Sequence, residues 1–144
     1  MDIAIKVEVP IGHRLYGYPG KCAHAHGHNY NIEFWINGNP DAELGLVMDF
    51  KDLKSHVDLL LDPFDHAMVL MDGDPLEDAL LTLRSKHIIL NVNPSAENLC
   101  SLLFNQARDL EGLRVSKIVI QETSDSYATT DRVSRDVRVL RGVR

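Results

Sequence analysis

The chain has 144 residues, of which 44 % are hydrophobic and 25 % charged, and its formal net charge is −6. That length fits a single domain, residues 1–144, burying about 68 % of its unfolded surface, and the composition excludes a disordered chain, a collagen-like chain and a disulfide miniprotein. The acidic balance argues against a nucleic-acid partner, and no apolar run approaches the ~20 residues of a membrane span.

The opening run MDIAIKVEVP has acid where a signal peptide has a basic region. A cytoplasmic location is therefore expected, with Cys22 and Cys100 as free thiols. Residues 2–13 alternate: Ile3, Ile5, Val7, Val9, Ile11 and His13 share one face, which predicts a strand. Residues 14–25 hold Gly17, Pro19 and Gly20 and read as a loop. Residues 26–37 alternate again, with His26, His28, Tyr30, Ile32, Phe34 and Ile36 on one face and Trp35 as the exception on the other. NGNPD at 37–41 ends that strand in a turn.

Asp49 and Asp52 suit an N-cap and first turn, and Phe50, Leu53, Val57, Leu60 and Leu61 have helical spacing, so a helix is expected at about 50–61. Residues 75–92 are ambiguous between a short helix in DPLEDALLTL and a short strand in HIILNV. Ser95 and Asn98 open a helix through Ala107, which Gly112 ends. Val115–Thr123 reads as a third strand, 124–132 as a polar loop and Val133–Leu140 as a fourth strand. The order ββααββ predicts an α+β fold with an antiparallel sheet.

The histidines stand out, because four of the seven lie between positions 13 and 28. Alternation sets His13 at the end of one apolar face and His26 and His28 at the start of the next. If the two strands pair antiparallel, three imidazoles converge, and three nitrogen ligands with an open fourth position are the pattern of a catalytic zinc site. His24 is read as a bystander. Cys22, four residues before His26, is either a fourth ligand of a closed structural site, a nucleophile or base beside the metal, or an inert thiol. Cys100, on an apolar helix, is read as inert. Glu122 shares a face with Ile118 and Ile120, where a carboxylate is costly unless it is paired or recognises a ligand. Asp65-His66 reads either as an acid–histidine relay or as a solvated turn.

These motifs together resemble the 6-pyruvoyl-tetrahydropterin synthase family: GHRL at 12–15, KCAHAHGHNY at 21–30, FDH at 64–66, NPSAENL at 93–99 and ETSDS at 122–126. The three-residue gap between Cys22 and His26 resembles the bacterial 6-carboxytetrahydropterin synthase branch, which makes the queuosine precursor. The resemblance implies a tunnelling fold, a four-stranded antiparallel sheet with two helices on one face. Three subunits would close a twelve-stranded barrel, and two trimers would stack as a homohexamer with the site between subunits. It further implies that His13, His26 and His28 bind Zn2+. Cys22 would be the catalytic cysteine, and Asp65 and His66 would assist it, usually from a neighbouring subunit. Glu122 would anchor the pterin ring, with Glu97 and Thr123 as further pocket positions.

The expected activity is a zinc lyase acting on 7,8-dihydroneopterin triphosphate to give 6-carboxy-5,6,7,8-tetrahydropterin, acetaldehyde and triphosphate. The alternatives are an enzyme that stops at 6-pyruvoyltetrahydropterin and a non-catalytic zinc-stabilised protein using Cys22 as fourth ligand. Arg132, Arg135, Arg138, Arg141 and Arg144 recur every third residue. The plain reading is a solvated or salt-bridging strand. The rival reading sends one or two of Arg132, Arg135 and Arg138 to the phosphates, which guanidinium forks suit.

Overall fold

The structure, a computed structural model, describes residues 1–143. It is an α+β fold of three helices on one seven-stranded mixed sheet, with strand order β6-β5-β2-β1-β3-β4-β7. Strands β1 (Asp2–His13) and β2 (His26–Asn37) form a long antiparallel hairpin. Its register sets Ile5 against Phe34, Val9 against Tyr30, Ile11 against His28 and His13 against His26. Both alternating faces therefore turn the same way, as period-two side chains in paired strands must.

Onto that face pack α1 (Phe50–Leu61) and α3 (Ala96–Arg108), through Leu53, Val57, Leu61, Leu99, Leu102, Leu103 and Phe104. Asp49 caps α1 by accepting from the Lys51 amide at 2.7 Å, and Ser95 caps α3 by accepting from the Asn98 amide at 3.3 Å. Phe34 is 0 % exposed at the centre of this core. Phe34→Ala is expected to lower the unfolding free energy by about 3–5 kcal/mol, read as a shifted denaturant midpoint.

Several elements depart from the expected pattern. Strand β3 (Ala67–Met71) has no alternation to betray it, because both its faces are covered. Val69 joins the main core, while Leu70 packs with Ile89 and Leu80 on the other side of the sheet. Helix α2 (Leu76–Thr82) and strand β4 (His87–Leu90) resolve the ambiguous 75–92 segment as one of each. Strands β1, β3 and β4 run parallel, so the sheet is mixed and not four-stranded antiparallel. With α2 on the far side of β3 and β4, the helices are not all on one face.

The expected loop 124–132 contains β6 (Tyr127–Thr130), paired antiparallel to β5 (Val115–Gln121). The strand expected at 133–140 is instead a strap over α3. The Asn105 side chain donates to the Arg135 carbonyl, Asn91 donates to the Asp136 carbonyl, and Val137 is buried. These polar partners satisfy the strap's backbone in place of a sheet, and strand β7 (Val139–Val143) begins only beyond it, at the opposite sheet edge. Gly112 has φ +83° but lies beyond the Asp109 cap of α3, in the following turn.

Candidate metal centre and active-site pocket

His13, His26 and His28 meet where the β1–β2 hairpin opens into the 14–25 loop. One ligand nitrogen from each lies within 4.8 Å of the other two, so one ion can reach all three. His13 Nδ1 donates to the Pro94 carbonyl at 2.7 Å, and His26 Nδ1 donates to the His24 carbonyl at 2.8 Å. Each bond commits the Nδ1 proton and leaves the Nε2 lone pair for a metal. The donor set fits a metal ion on that ground. Gly27, between the two strand-β2 ligands, must be small: a Cβ there would stand 3.1 Å from the Ile11 carbonyl oxygen.

His13 is 2 % exposed. Burial holds its pKa below the ordinary histidine value; the Pro94 bond and Glu122 oppose that shift, and His26 and His28 add to it. The neutral form required of a ligand is thus favoured. The sign for stability follows directly. As pH falls below about 6.5, the unfolded chain takes up this proton before the folded one does. The contribution is complete above that pH and is lost as pH falls towards the depressed value. Denaturation of metal-free protein is expected to show a lower midpoint near pH 5.5 than near pH 7.5, and a flat profile would exclude the effect.

Glu122 follows the end of β5 and directs its carboxylate at the histidines. Its Oε1 is 3.4 Å from His13 Nε2 and 3.5 Å from His28 Nε2. Tyr30, fully buried, donates its hydroxyl to the same oxygen at 3.0 Å. Burial and the neighbouring carboxylate push the Tyr30 pKa up, so the phenol stays a donor. Sequence reasoning left Tyr30 in the core without this contact to Glu122, although its place two residues after His28 on the same face was a usable signal.

A pocket of about 240 Å³ opens beside this cluster and brings Cys22, Glu97 and Glu122 together with His13. Leu15, Ser126 and Tyr127 also line it and were not anticipated. Cys22 sits in a single 3-10 turn, Lys21–Ala23, and is exposed. Hydrogen bonding from Ser95, chiefly, lowers the Glu97 pKa and keeps it a carboxylate. Thr123 is not among the lining residues; its hydroxyl donates to Asp125 at 2.8 Å. The ring of His24 takes no part in the ligand cluster, while its backbone carbonyl orients His26. Cys100 is buried, its thiol pushed up to about 12 by burial, as an inert thiol requires.

Asp65 and His66 do not join Cys22 within one chain. His66 lines a different cleft, of about 430 Å³, together with Pro10, Gly12, Gly27 and Asn29, the residues that alternate to the other side of the sheet. There His66 Nδ1 donates to Asp65 Oδ1 at 2.7 Å, and both side chains are exposed. His66 has φ +57°, a left-handed conformation that costs a non-glycine residue energy. Lys86 holds the turn by donating to the Asp62 and Asp65 carbonyls at 2.7 and 2.8 Å.

The C-terminal arginines are mostly engaged elsewhere. Arg141 pairs with Asp72 and Glu77, Arg138 with Asp136, and Arg135 donates to Asn98. Arg132 lies 4.0 Å from Asp131, and none of these four lines the Cys22 pocket. Arg144 lies outside the described residues.

The profile of the 6-pyruvoyl tetrahydropterin synthase family matches residues 2–133. The chain belongs to that family. Among its relatives, the 6-carboxy-5,6,7,8-tetrahydropterin synthase of Haemophilus influenzae is 34 % identical over 125 residues, covering 81 % of this chain and 89 % of that one. The enzyme of the same name from Rickettsia bellii is 37 % identical over 107 residues, covering 70 % and 75 %. The solved 6-pyruvoyl tetrahydropterin synthase of Caenorhabditis elegans superposes with a TM-score of 0.71 at 22 % identity, over 92 % of this chain and 95 % of that one. This member of the family is an enzyme of the lyase type. Among the described residues, no helix is long and apolar enough to cross a membrane.

Proposed function

We propose that this enzyme is a zinc-dependent lyase converting 7,8-dihydroneopterin triphosphate to 6-carboxy-5,6,7,8-tetrahydropterin, acetaldehyde and triphosphate, the reaction that supplies the queuosine precursor in the cytoplasm. The observation that carries this reading is a pocket in which His13, one of three histidines whose ligand nitrogens lie within 4.8 Å of one another, faces a carboxylate and an exposed thiol. The names of the Haemophilus and Rickettsia relatives favour the carboxy product.

Zinc held by His13, His26 and His28 would supply Lewis acidity to the substrate's side-chain hydroxyls. Cys22 acts as the base that removes the proton from the first side-chain carbon. Asp65 orients the His66 ring through their 2.7 Å bond, and His66 carries the proton onward. Tyr30 occupies one lone pair of Glu122, and the remaining lone pairs accept from the pterin ring. Glu97, kept ionised in the first turn of α3, is a second acceptor for the ring.

The separation of His66 from Cys22 supports a site completed by a second subunit. The sheet also supports it. Strand β1 is paired to β3 only at Ile11–His13, which leaves the outer edge of its first residues without a strand partner among the described residues. Strand β6 forms the other end of the antiparallel run β6-β5-β2-β1. Pairing β6 of one subunit with β1 of the next removes both edges, and three copies close a twelve-stranded barrel. Two such trimers make the proposed homohexamer.

The test is mass spectrometry of the products formed from 7,8-dihydroneopterin triphosphate. The expected result is 6-carboxytetrahydropterin with acetaldehyde. Accumulation of 6-pyruvoyltetrahydropterin would assign the chain to the reaction that ends at triphosphate elimination. An unconsumed substrate with zinc bound would leave a zinc-stabilised protein without this activity.

A further inference from the structure

We infer that Asn93 is a positioning residue that holds a metal ligand and the catalytic thiol in one rigid unit; the inference rests on the reading of the three histidines as a zinc site. Four consecutive residues at the end of β1 and just beyond are tied down, three of them to distant parts of the chain and Leu15 to the far end of its own loop. His13 donates to the Pro94 carbonyl at 2.7 Å. Arg14 forks onto Asp74, whose side chain is fully buried. The Leu15 amide donates to the Cys22 carbonyl at 2.7 Å. The Tyr16 amide donates to Asn93 Oδ1 at 2.7 Å, and Asn93 Nδ2 donates back to the Tyr16 carbonyl at 3.0 Å.

Asn93 therefore closes a two-bond ring with Tyr16 from the residue next to Pro94. Its own backbone is held in turn, because Asn98, buried in the first turn of α3, donates to the Asn93 carbonyl at 2.8 Å. The loop that supplies the acceptor for His13 and the loop that carries Cys22 are thus cross-linked through one amide side chain. An aliphatic side chain makes neither bond, and an aspartate makes only the one from the Tyr16 amide. Without the cross-link, the Pro94 carbonyl drifts from His13 Nδ1, and the ring loses the partner that fixes its tautomer and raises its basicity. Loss of such a partner weakens metal binding by about 10–100-fold.

A matched control lies two residues upstream. Asn91 also makes two side-chain bonds, donating to the Asp136 carbonyl at 2.9 Å and accepting from the Arg138 amide at 2.8 Å, but these hold the C-terminal strap and not the 13–22 segment. The experiment measures the zinc dissociation constant of the full chain by competition with a chromogenic chelator at neutral pH. It compares the unsubstituted protein with Asn93→Ala, Asn93→Asp and Asn91→Ala, and records the melting temperature of each without metal. Asn93→Ala is expected to weaken zinc binding by about 10–100-fold, Asn93→Asp by an intermediate factor and Asn91→Ala by less than about twofold, with similar losses in melting temperature for the two alanine variants.

Equal zinc affinity in Asn93→Ala and the unsubstituted protein, or an equal loss in Asn91→Ala, would overturn the inference. If Asn93→Ala does not fold, a zinc affinity of Asn93→Asp no weaker than that of Asn91→Ala overturns it. Failure of the unsubstituted protein to bind zinc overturns the metal reading itself.

Discussion

Cys22→Ala is expected to lower turnover of 7,8-dihydroneopterin triphosphate by about 10²–10⁴-fold, the usual worth of a positioned general base, while zinc content stays at about one per chain. The ligand cluster consists of His13, His26 and His28 without the thiol, and three protein ligands suffice for a zinc site that keeps a position open for substrate. Cys22 lines the pocket beside that cluster and is exposed, so its truncation leaves neither a cavity in the core nor an unpaired buried group. The check is elemental analysis of zinc alongside steady-state kinetics on the same preparation. Zinc lost together with activity would make Cys22 a fourth ligand and the site structural.

Removing a ligand has the opposite signature. His26→Ala and His28→Ala are each expected to strip most of the zinc, and activity with it, because two imidazoles cannot complete a site that needs three. Both side chains are only half-buried, so the metal-free fold persists and the loss reads on the metal alone. His13→Ala is a poorer probe, since His13 is 2 % exposed and its truncation also leaves a cavity and frees the Pro94 carbonyl. Zinc per chain by mass spectrometry decides the matter, and unchanged content in both half-buried variants would remove the site. Acid is expected to release the metal as well, because protonated imidazole cannot ligate.

The legibility of this site follows from the period of a strand. Two adjacent alternating segments, each with histidine at the end nearer the intervening loop, bring those ends together when they pair antiparallel, and the register formed sets His13 against His26. Glu122 was legible for a related reason, as a carboxylate in phase with Ile118 and Ile120, both fully buried. Strand β3 was not legible, because a segment covered on both faces shows only an apolar run. The strap at 133–138 was misread as strand because the side chains that satisfy its backbone lie far away in sequence, on Asn91 and Asn105.

The sequence by itself determined what local periodicity and capping chemistry control: the β1–β2 hairpin, helices α1 and α3 from their Asp49 and Ser95 caps, and the convergence of His13, His26 and His28 at one end of the hairpin. Only the tertiary structure decided what depends on contacts across the chain. It set β3 and β4 parallel to β1, placed α2 on the far side of the sheet, and held Tyr30 against Glu122 across 92 positions. It also put Pro94 and Asn93 behind His13 and Tyr16, and it turned His66 to a different cleft from Cys22. A side chain's periodicity tells which face it occupies, but its hydrogen-bond partner is chosen by whichever distant backbone group the packed core brings within reach.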